Sequence, residues 1–415
     1  MMKKKCRVGV IGVGRGRVMI DYCAHHDHAE LVAICDKWEK GLDKMREKYG
    51  DAVTYYTSYD EFLKHDMDVV ILANYANEHA PFAIKAMKAG KHVFSEVLPA
   101  QCLAEAVELV ETVEQTGMKY CYLENYCYMS APREMKRLYA AGSLGELEYG
   151  EGEYIHNCEP IWASITYGER DHWRNRMYTT FYCTHSIGPI VHITGLRPVR
   201  VVGAELSFNE RCAREGCLTG SLGIELMTME NGAVVRSTHR QLAKDSVWYS
   251  LYGTKGHAES ARRITGLGGV NHIYTDLDRE VADYTTEGNS EKKDYYPKDG
   301  LTKIAGNSGH GGSDNCAIYE AIEYVLGKAD ADVIDVYEAM DMFLPGLFAF
   351  FSILDGGREQ EIPDLREKAA RDRYREDRRC TDPKVAGDQL LPCNGKGNPE
   401  IPEAVYTRMR KTAGR

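Results

Sequence analysis

The chain has 415 residues, more than one hydrophobic core ordinarily accommodates, so two domains and a tail are expected. Its 43% hydrophobic and 27% charged residues fit a soluble globular protein, and a net charge of −10 argues against a nucleic-acid or anionic-membrane surface. Thirteen cysteines, none in a CxxC pair, suit free thiols in a reducing compartment better than disulfides or a zinc cage.

The N-terminus, "MMKKKCRVGVIGVG", enters a strand at once and leaves no room for a secretory signal. No later run approaches the roughly 18 uninterrupted apolar residues of a membrane span. A cytoplasmic protein is the expectation. The stretch from Cys6 to Asp36 then reads as an apolar strand, a turn through three glycines, a helix and a second strand ending in an acid. In such a unit Gly12 permits the tight turn and Gly14 lets the backbone approach a pyrophosphate. The unpaired N–H groups of the following helix face the phosphates. Asp36 stands where a carboxylate accepts hydrogen bonds from the ribose hydroxyls and repels a 2′-phosphate, which favours NAD over NADP. The third glycine is Gly16, and Arg17 fills the place where a G-x-G-x-x-G pattern has its last glycine. "HHDH" at 25–28 is read as solvated histidines in a helix-to-strand turn, and no metal site is expected.

The alternation continues. "MDVVILAN" is a buried strand ending at Asn74, "NEHAPFAIKAMKAG" a helix, "KHVFSE" a strand, "LAEAVELVETVEQTG" a helix and "MKYCYLEN" a strand. This pattern predicts a doubly wound parallel sheet over residues 1–125, an α/β Rossmann domain, with ligands at the carboxyl ends of its strands. Those ends gather Gly12, Asp36, Asn74, Glu96, Glu124 and Asn125. Arg15 in the glycine turn and His79 at the start of a helix complete the first domain's candidate cofactor-binding set.

Beyond residue 126 strands dominate, and "MENGAVV" is a hairpin signal, because Asn-Gly sits between alternating apolar residues. A second α/β domain over residues 126–360 with a large, open, mostly antiparallel sheet is expected. Trp173 and Arg174 in "DHWRNRMY" offer an aromatic face beside a guanidinium, suited to a sugar or a pyrophosphate. "AGNSGHGGSDNC" places His310 on a glycine loop that could reach a substrate, with Ser313 or Asp314 read as capping the next helix. The apolar helix in "VIDVYEAMDMFLPGLFAFFSIL" is expected to pack on the Rossmann half. Residues 361–415 read as a charged extension, its last part an arm or loosely ordered.

These features resemble the Gfo/Idh/MocA family over roughly residues 5–355. The resemblance implies an N-terminal Rossmann domain, a C-terminal α/β domain with a mostly antiparallel sheet, a sugar-like substrate and a homo-oligomer. The family's Glu-Lys-Pro motif stands here as "SEVLPA", where Val97 and Leu98 lie between Glu96 and Pro99, and the family's aspartate four residues before His185 is Phe181. "SEVLPA", "LENYCY" and "YCTHSIGP" are similar instead to the branch of NAD-dependent glycosidases of glycoside hydrolase family 109, the α-N-acetylgalactosaminidase type. That resemblance implies catalytic roles for Tyr154, His185, Glu124 and Tyr182: His185 as acceptor of the C3 hydroxyl proton, Tyr154 as C2 base, Glu124 and Tyr182 assisting the leaving group or positioning hydroxyls. Glu96 and Asn125 would hold the nicotinamide or its ribose. The leading expectation is an NAD-dependent glycoside hydrolase that recycles its cofactor. The alternatives are a conventional sugar or polyol oxidoreductase and a non-enzymatic NAD-retaining binding protein.

Overall fold

The computed structural model describes residues 5–262, 270–279 and 289–414. The chain divides into two compact units, each discontinuous: the first takes Met1–Tyr128, Asp299–Met340 and Leu365–Glu376, the second Met129–Lys298, Asp341–Asp364 and Asp377–Arg415. The expected divisions at residues 125 and 360 are therefore corrected.

The first unit is built on six strands: β1 (Cys6–Ile11), β2 (Ala29–Cys35), β3 (Thr54–Tyr56), β4 (Val69–Leu72), β5 (His92–Ser95) and β6 (Tyr120–Tyr122). Their order is β3-β2-β1-β4-β5-β6 and every pairing is parallel. Helices on both faces bury the central strands, which is why β4 reads as an unbroken apolar run rather than an alternating one. The strand order reverses between β1 and β4, and the turns after those two strands carry Gly12 and Asn74. Asp299–Met340 returns to this unit because its contacts are here: Tyr122 N–H donates to the Ile334 carbonyl at 2.9 Å, and the Tyr128 hydroxyl to the Asp332 carbonyl at 2.8 Å.

The second unit carries a nine-stranded sheet built from β7 (Leu147–Ile155), β8 (Pro198–Leu206), β9 (Leu222–Met229), β10 (Val234–Arg240), β11 (Ser246–Gly253), β12 (Gly256–Ser260), β13 (Ile273–Asp278), β14 (Ser290–Tyr295) and β15 (Gln360–Glu361). Its order is β14-β13-β12-β11-β7-β10-β9-β8-β15, antiparallel except where β10 runs parallel to β7. The Asn-Gly hairpin forms as expected between β9 and β10, with Gly232 at φ +89°. Both expected sheet classes are thus present.

Two expectations about the later chain are corrected. The helix Val336–Leu354 is, by length and composition alone, apolar enough to cross a membrane, yet it is mostly buried inside the molecule. Its part from Asp341 onward packs in the second unit, where Gly346 accepts from the Thr180 hydroxyl at 2.6 Å and Phe350 stacks on Tyr178. Nor is the tail a loose arm. Arg371 and Arg375 pair with Glu114 and Glu111 in the first unit, and in the second the helix Glu403–Thr412 buries Tyr406, whose hydroxyl donates to the Gly216 carbonyl at 2.9 Å.

Candidate active site

The glycine turn of the first unit separates three roles. Gly12 sits at φ +99°, and a Cβ there would lie 2.3 Å from the Ala73 carbonyl oxygen. A Cβ on Gly16 would lie 2.1 Å from the Gly12 oxygen, so Gly16 provides the close helix–strand approach that the displaced third glycine left in question. Gly14 has nothing within 4 Å of that position and faces open space ahead of the helix Arg17–His25. Asp36 is held at the end of β2 by the Val13 N–H at 2.7 Å and the Trp38 N–H at 2.8 Å. Asn74 donates to Glu78 at 3.0 Å, while its Oδ1 is buried with no hydrogen-bond partner among the described residues. An open glycine turn, a fixed acid on β2 and an orphaned acceptor on the same rim fit a dinucleotide.

Arg15 does not stand alone at this rim. It makes a two-pronged ion pair with Asp314, Nη1 to Oδ2 and Nη2 to Oδ1 both at 2.8 Å, and reaches Glu96 Oε1 at 2.6 Å. Asn125 Nδ2 and His310 Nδ1 also meet Asp314, each at 2.9 Å. Burial pushes the Asp314 carboxyl upward, but the hydrogen bonds from Arg15 and His310 outweigh it and hold the group well below the usual carboxylate range. Asp314 is therefore a hub rather than a helix cap, and the helix Ser313–Val325 starts at Gly312 without a side-chain cap. The sequence offered no pointer to this role, since Arg15 lies 299 residues away.

The structure places three further sets of first-unit side chains. His79 is buried and gives its Nδ1–H to the Leu98 carbonyl at 2.9 Å, bracing the turn that contains the inserted leucine, while its Nε2 is buried with no hydrogen-bond partner among the described residues; burial pushes it down to about 4 despite that carbonyl. Glu124 is fully buried, and its Oε1 accepts the Tyr126 N–H at 3.2 Å. That hydrogen bond supports the turn Asn125–Tyr128. In "HHDH" His25 is exposed, but His28 is buried between the Tyr22 hydroxyl at 2.8 Å and Glu323 at 2.6 Å.

In the second unit three of the four expected catalytic residues, Tyr154, His185 and Tyr182, come together beside one face of β7. Gly150, Gly152 and Tyr154 share that face by strand alternation. The two glycines admit the helix Thr184–Thr194: a Cβ on Gly152 would lie 1.9 Å from the Ser186 carbonyl oxygen. The next residue on the face is Tyr154, and its ring lies 4.6 Å from the His185 ring. His185 is fixed through its carbonyl by the Tyr249 hydroxyl at 2.6 Å and by the neighbouring Ser186–Ser237 hydroxyl pair at 2.7 Å. Tyr182 stands 5.6 Å from His185, ring to ring, and accepts from Arg174 Nη1 at 3.2 Å. The Arg174 guanidinium lies over the Trp173 ring at 4.4 Å. Trp173 and Arg174, expected with the cofactor, are thus joined to Tyr182 within the second unit. Phe181, where the family has an acid, is buried against Tyr178.

Sequence reading missed His156. Its Nδ1 lies 3.1 Å from the Tyr154 hydroxyl and 3.5 Å from Cys158 Sγ. The signal was available as the G-x-G-x-Y-x-H alternation that ends β7. Beneath the cluster, β9 and β10 bury Glu225 and His239, 3.6 Å apart, where burial pushes Glu225 up to about 8 and His239 down to about 3. Both are held in their neutral forms, and neither adds charge under His185.

Topology, glycine turn and acid together define the class: an α/β protein with an NAD-binding fold, whose second unit carries a cluster of tyrosine, histidine and arginine. Residues 6–123 match the GFO_IDH_MocA family model, "Oxidoreductase family, NAD-binding Rossmann fold". Over those residues the resemblance read from the sequence is borne out. The chain is 28% identical over 398 residues to a glycosyl hydrolase family 109 protein of Solibacter usitatus, covering 86% of this chain and 88% of that one. It is 27% identical over 397 residues to another from Shewanella sp. strain W3-18-1, covering 86% and 84%. In fold it is similar to scyllo-inositol dehydrogenase from Lactobacillus casei, solved with bound NAD(H) and scyllo-inositol, at a TM-score of 0.66 and 17% identity over 88% of this chain and 100% of that one.

Proposed function

We propose that the protein is an NAD-dependent glycoside hydrolase whose cofactor is restored within each turnover. The observation that carries this reading is the Tyr154–His185–Tyr182 cluster, assembled where no lysine or aspartate of the usual dehydrogenase motifs remains. NAD, when bound, supplies the reversible removal of hydride from the C3 carbinol of the sugar. Gly12, Gly14, Asp36 and Asn74 would hold it. The rest of the reaction is proton handling.

His185 accepts the C3 hydroxyl proton, since an imidazole nitrogen can take up a proton and return it. A C3 ketone acidifies the proton on C2. Tyr154 takes that proton while its own phenol proton passes to His156 Nδ1, 3.1 Å away. The C1 substituent then leaves by elimination, water adds at C1, and the proton transfers run in reverse. This is a route that avoids the paired carboxylates of ordinary glycosidases. Tyr182 and Arg174 orient hydroxyls, and Trp173 offers a flat face to the ring. The relatives carrying the glycosyl hydrolase family 109 name support the reading.

A conventional polyol oxidation is the second reading, favoured by the fold likeness to an inositol dehydrogenase. A panel of aryl α- and β-hexosides and N-acetylhexosaminides, followed for released phenol and cofactor absorbance together, separates the two. Phenol release without net NADH supports hydrolysis. Stoichiometric NADH from free sugar, with no phenol, supports oxidation.

A further inference from the structure

Beside the Tyr154–His156 pair, the second unit buries a guanidinium that has no ion-pair partner among the described residues. Arg240 ends β10 opposite Ile155 of β7, and its carbonyl accepts the His156 N–H at 2.8 Å. We infer that the sugar carries a carboxylate, as a uronic acid does, and that Arg240 binds it while Gln241 and Glu215 accept hydroxyls of the same ring. The inference rests on the reading of this cluster as a sugar site and names the class of substrate it takes.

Three observations carry it. First, the Arg240 fork is open along one edge. The residue is 5% exposed; Nε donates to the Gly220 carbonyl at 2.6 Å, Nη2 reaches only the Cys217 thiol at 3.5 Å, a weak acceptor, and Nη1 has no partner among the described residues. Burying a guanidinium unpaired is costly, and a carboxylate is the planar anion that such an edge takes through two parallel hydrogen bonds. Second, acceptors stand beside it. Glu215 and Gln241 are as deeply buried, and Gln241 Nε2 donates to Glu215 Oε2 at 2.5 Å, which leaves Gln241 Oε1 and Glu215 Oε1 without partners among the described residues. One orphaned donor and two orphaned acceptors on adjoining side chains fit a polyhydroxylated acid. Burial pushes the Glu215 carboxyl up to about 7 against the pull of Arg240, so it opposes an incoming anion less than an ordinary glutamate would. Third, Arg240 holds its place at φ +98°, a strained conformation for a residue with a side chain.

Cys158 joins this place to the Tyr154 cluster. Its Sγ lies 3.5 Å from His156 Nδ1, and while burial pushes the thiol up to about 11, Arg174 and Arg240 both pull it the other way. Arg174, stacked on Trp173 and bonded to Tyr182, is a second guanidinium without an ion pair among the described residues. The other carboxylates nearby are engaged elsewhere: Asp245 is exposed and accepts the Asn157 N–H at 2.5 Å, and Glu159 pairs with Arg211 and Arg214. In a hexuronic acid the carboxylate replaces the C6 hydroxymethyl group, which leaves C1, C2 and C3 free for the chemistry proposed above.

Calorimetric titrations of the NAD-loaded protein compare the methyl glucosides and galactosides of both anomers with the methyl uronosides that bear a carboxylate at C6. At least one uronoside should bind about tenfold or more tighter than its neutral partner, and Arg240→Gln should bring that ratio close to unity. Arg240→Lys, which keeps the charge without the fork, should give an intermediate ratio. Should Arg240→Gln fail to fold, Glu215→Gln decides: at about pH 8, where the native glutamate is mostly ionised, that variant should favour the uronoside several-fold more than wild type does. Equal affinity for acidic and neutral partners, or an acid preference that survives Arg240→Gln or, failing that variant, is unmoved by Glu215→Gln, would overturn the inference and leave the glycosidase reading standing. Preferred binding of a uronoside with no aryl glycoside or aryl uronoside hydrolysed would support the inference and sink the glycosidase reading.

Discussion

Gly12 and Gly14 stand two positions apart in one turn and answer to different constraints. At Gly12 the backbone itself needs φ +99° and closes on Ala73, whereas Gly14 meets nothing until a ligand arrives. Gly12→Ala should therefore destabilise the fold by about 2 kcal/mol or more. Gly14→Ala should leave the melting temperature near wild type and weaken NAD binding; paired thermal melts and cofactor titrations check both. These glycines, Asp36 and the Tyr182–His185 spacing were legible in the sequence, because each lies within a motif a few residues long. Asp314 was not, because it gains its meaning from Arg15, 299 residues away. His156 carried a signal, the alternation that ends β7, but the helix packed on the two glycines is what shows which face that alternation serves.

Between elements, the β9–β10 pair buries two ionisable groups side by side. Glu225 has its folded pKa raised from 4.5 to about 8 by burial, so from about pH 4.5 to 8 the unfolded chain binds fewer protons than the folded one, and stability falls as pH rises through that window. His239, pushed from 6.5 down to about 3, does the opposite: its contribution falls as pH drops below 6.5. Glu225→Gln, which keeps the neutral shape, should match wild type near pH 4.5. At pH 8 it should exceed wild type by on the order of 3–5 kcal/mol in denaturant unfolding. The tail helix Glu403–Thr412 is a second case. Tyr406 is buried, its ring lies under Arg170 at 4.6 Å, and Tyr406→Ala should cost about 3 kcal/mol, read as a lower denaturation midpoint. Its sequence looked like a loose arm because only two of its residues, Tyr406 and Met409, are apolar and buried, too few to make a periodic stripe.

Across the whole molecule, both sheets were legible from local pattern: unbroken apolar runs between helices for the parallel one, and alternation with an Asn-Gly turn for the other. The division of the chain was not, because Asp299–Met340 and Leu365–Glu376 return to the first unit through long-range contacts such as Tyr128 to Asp332 and Arg371 to Glu114. Each unit carries its own chemistry. One carries the glycine turn, Asp36 and the Asp314 hub; the other carries Tyr154, His156, Tyr182 and His185. In the proposed reaction electrons leave the sugar and return within the same catalytic cycle. Running the hydrolysis in D2O with catalytic NAD and examining the released sugar by NMR tests this most directly. Deuterium at C2, hydrogen retained at C3 and no build-up of NADH are predicted; a product with its C2 hydrogen intact would contradict the account.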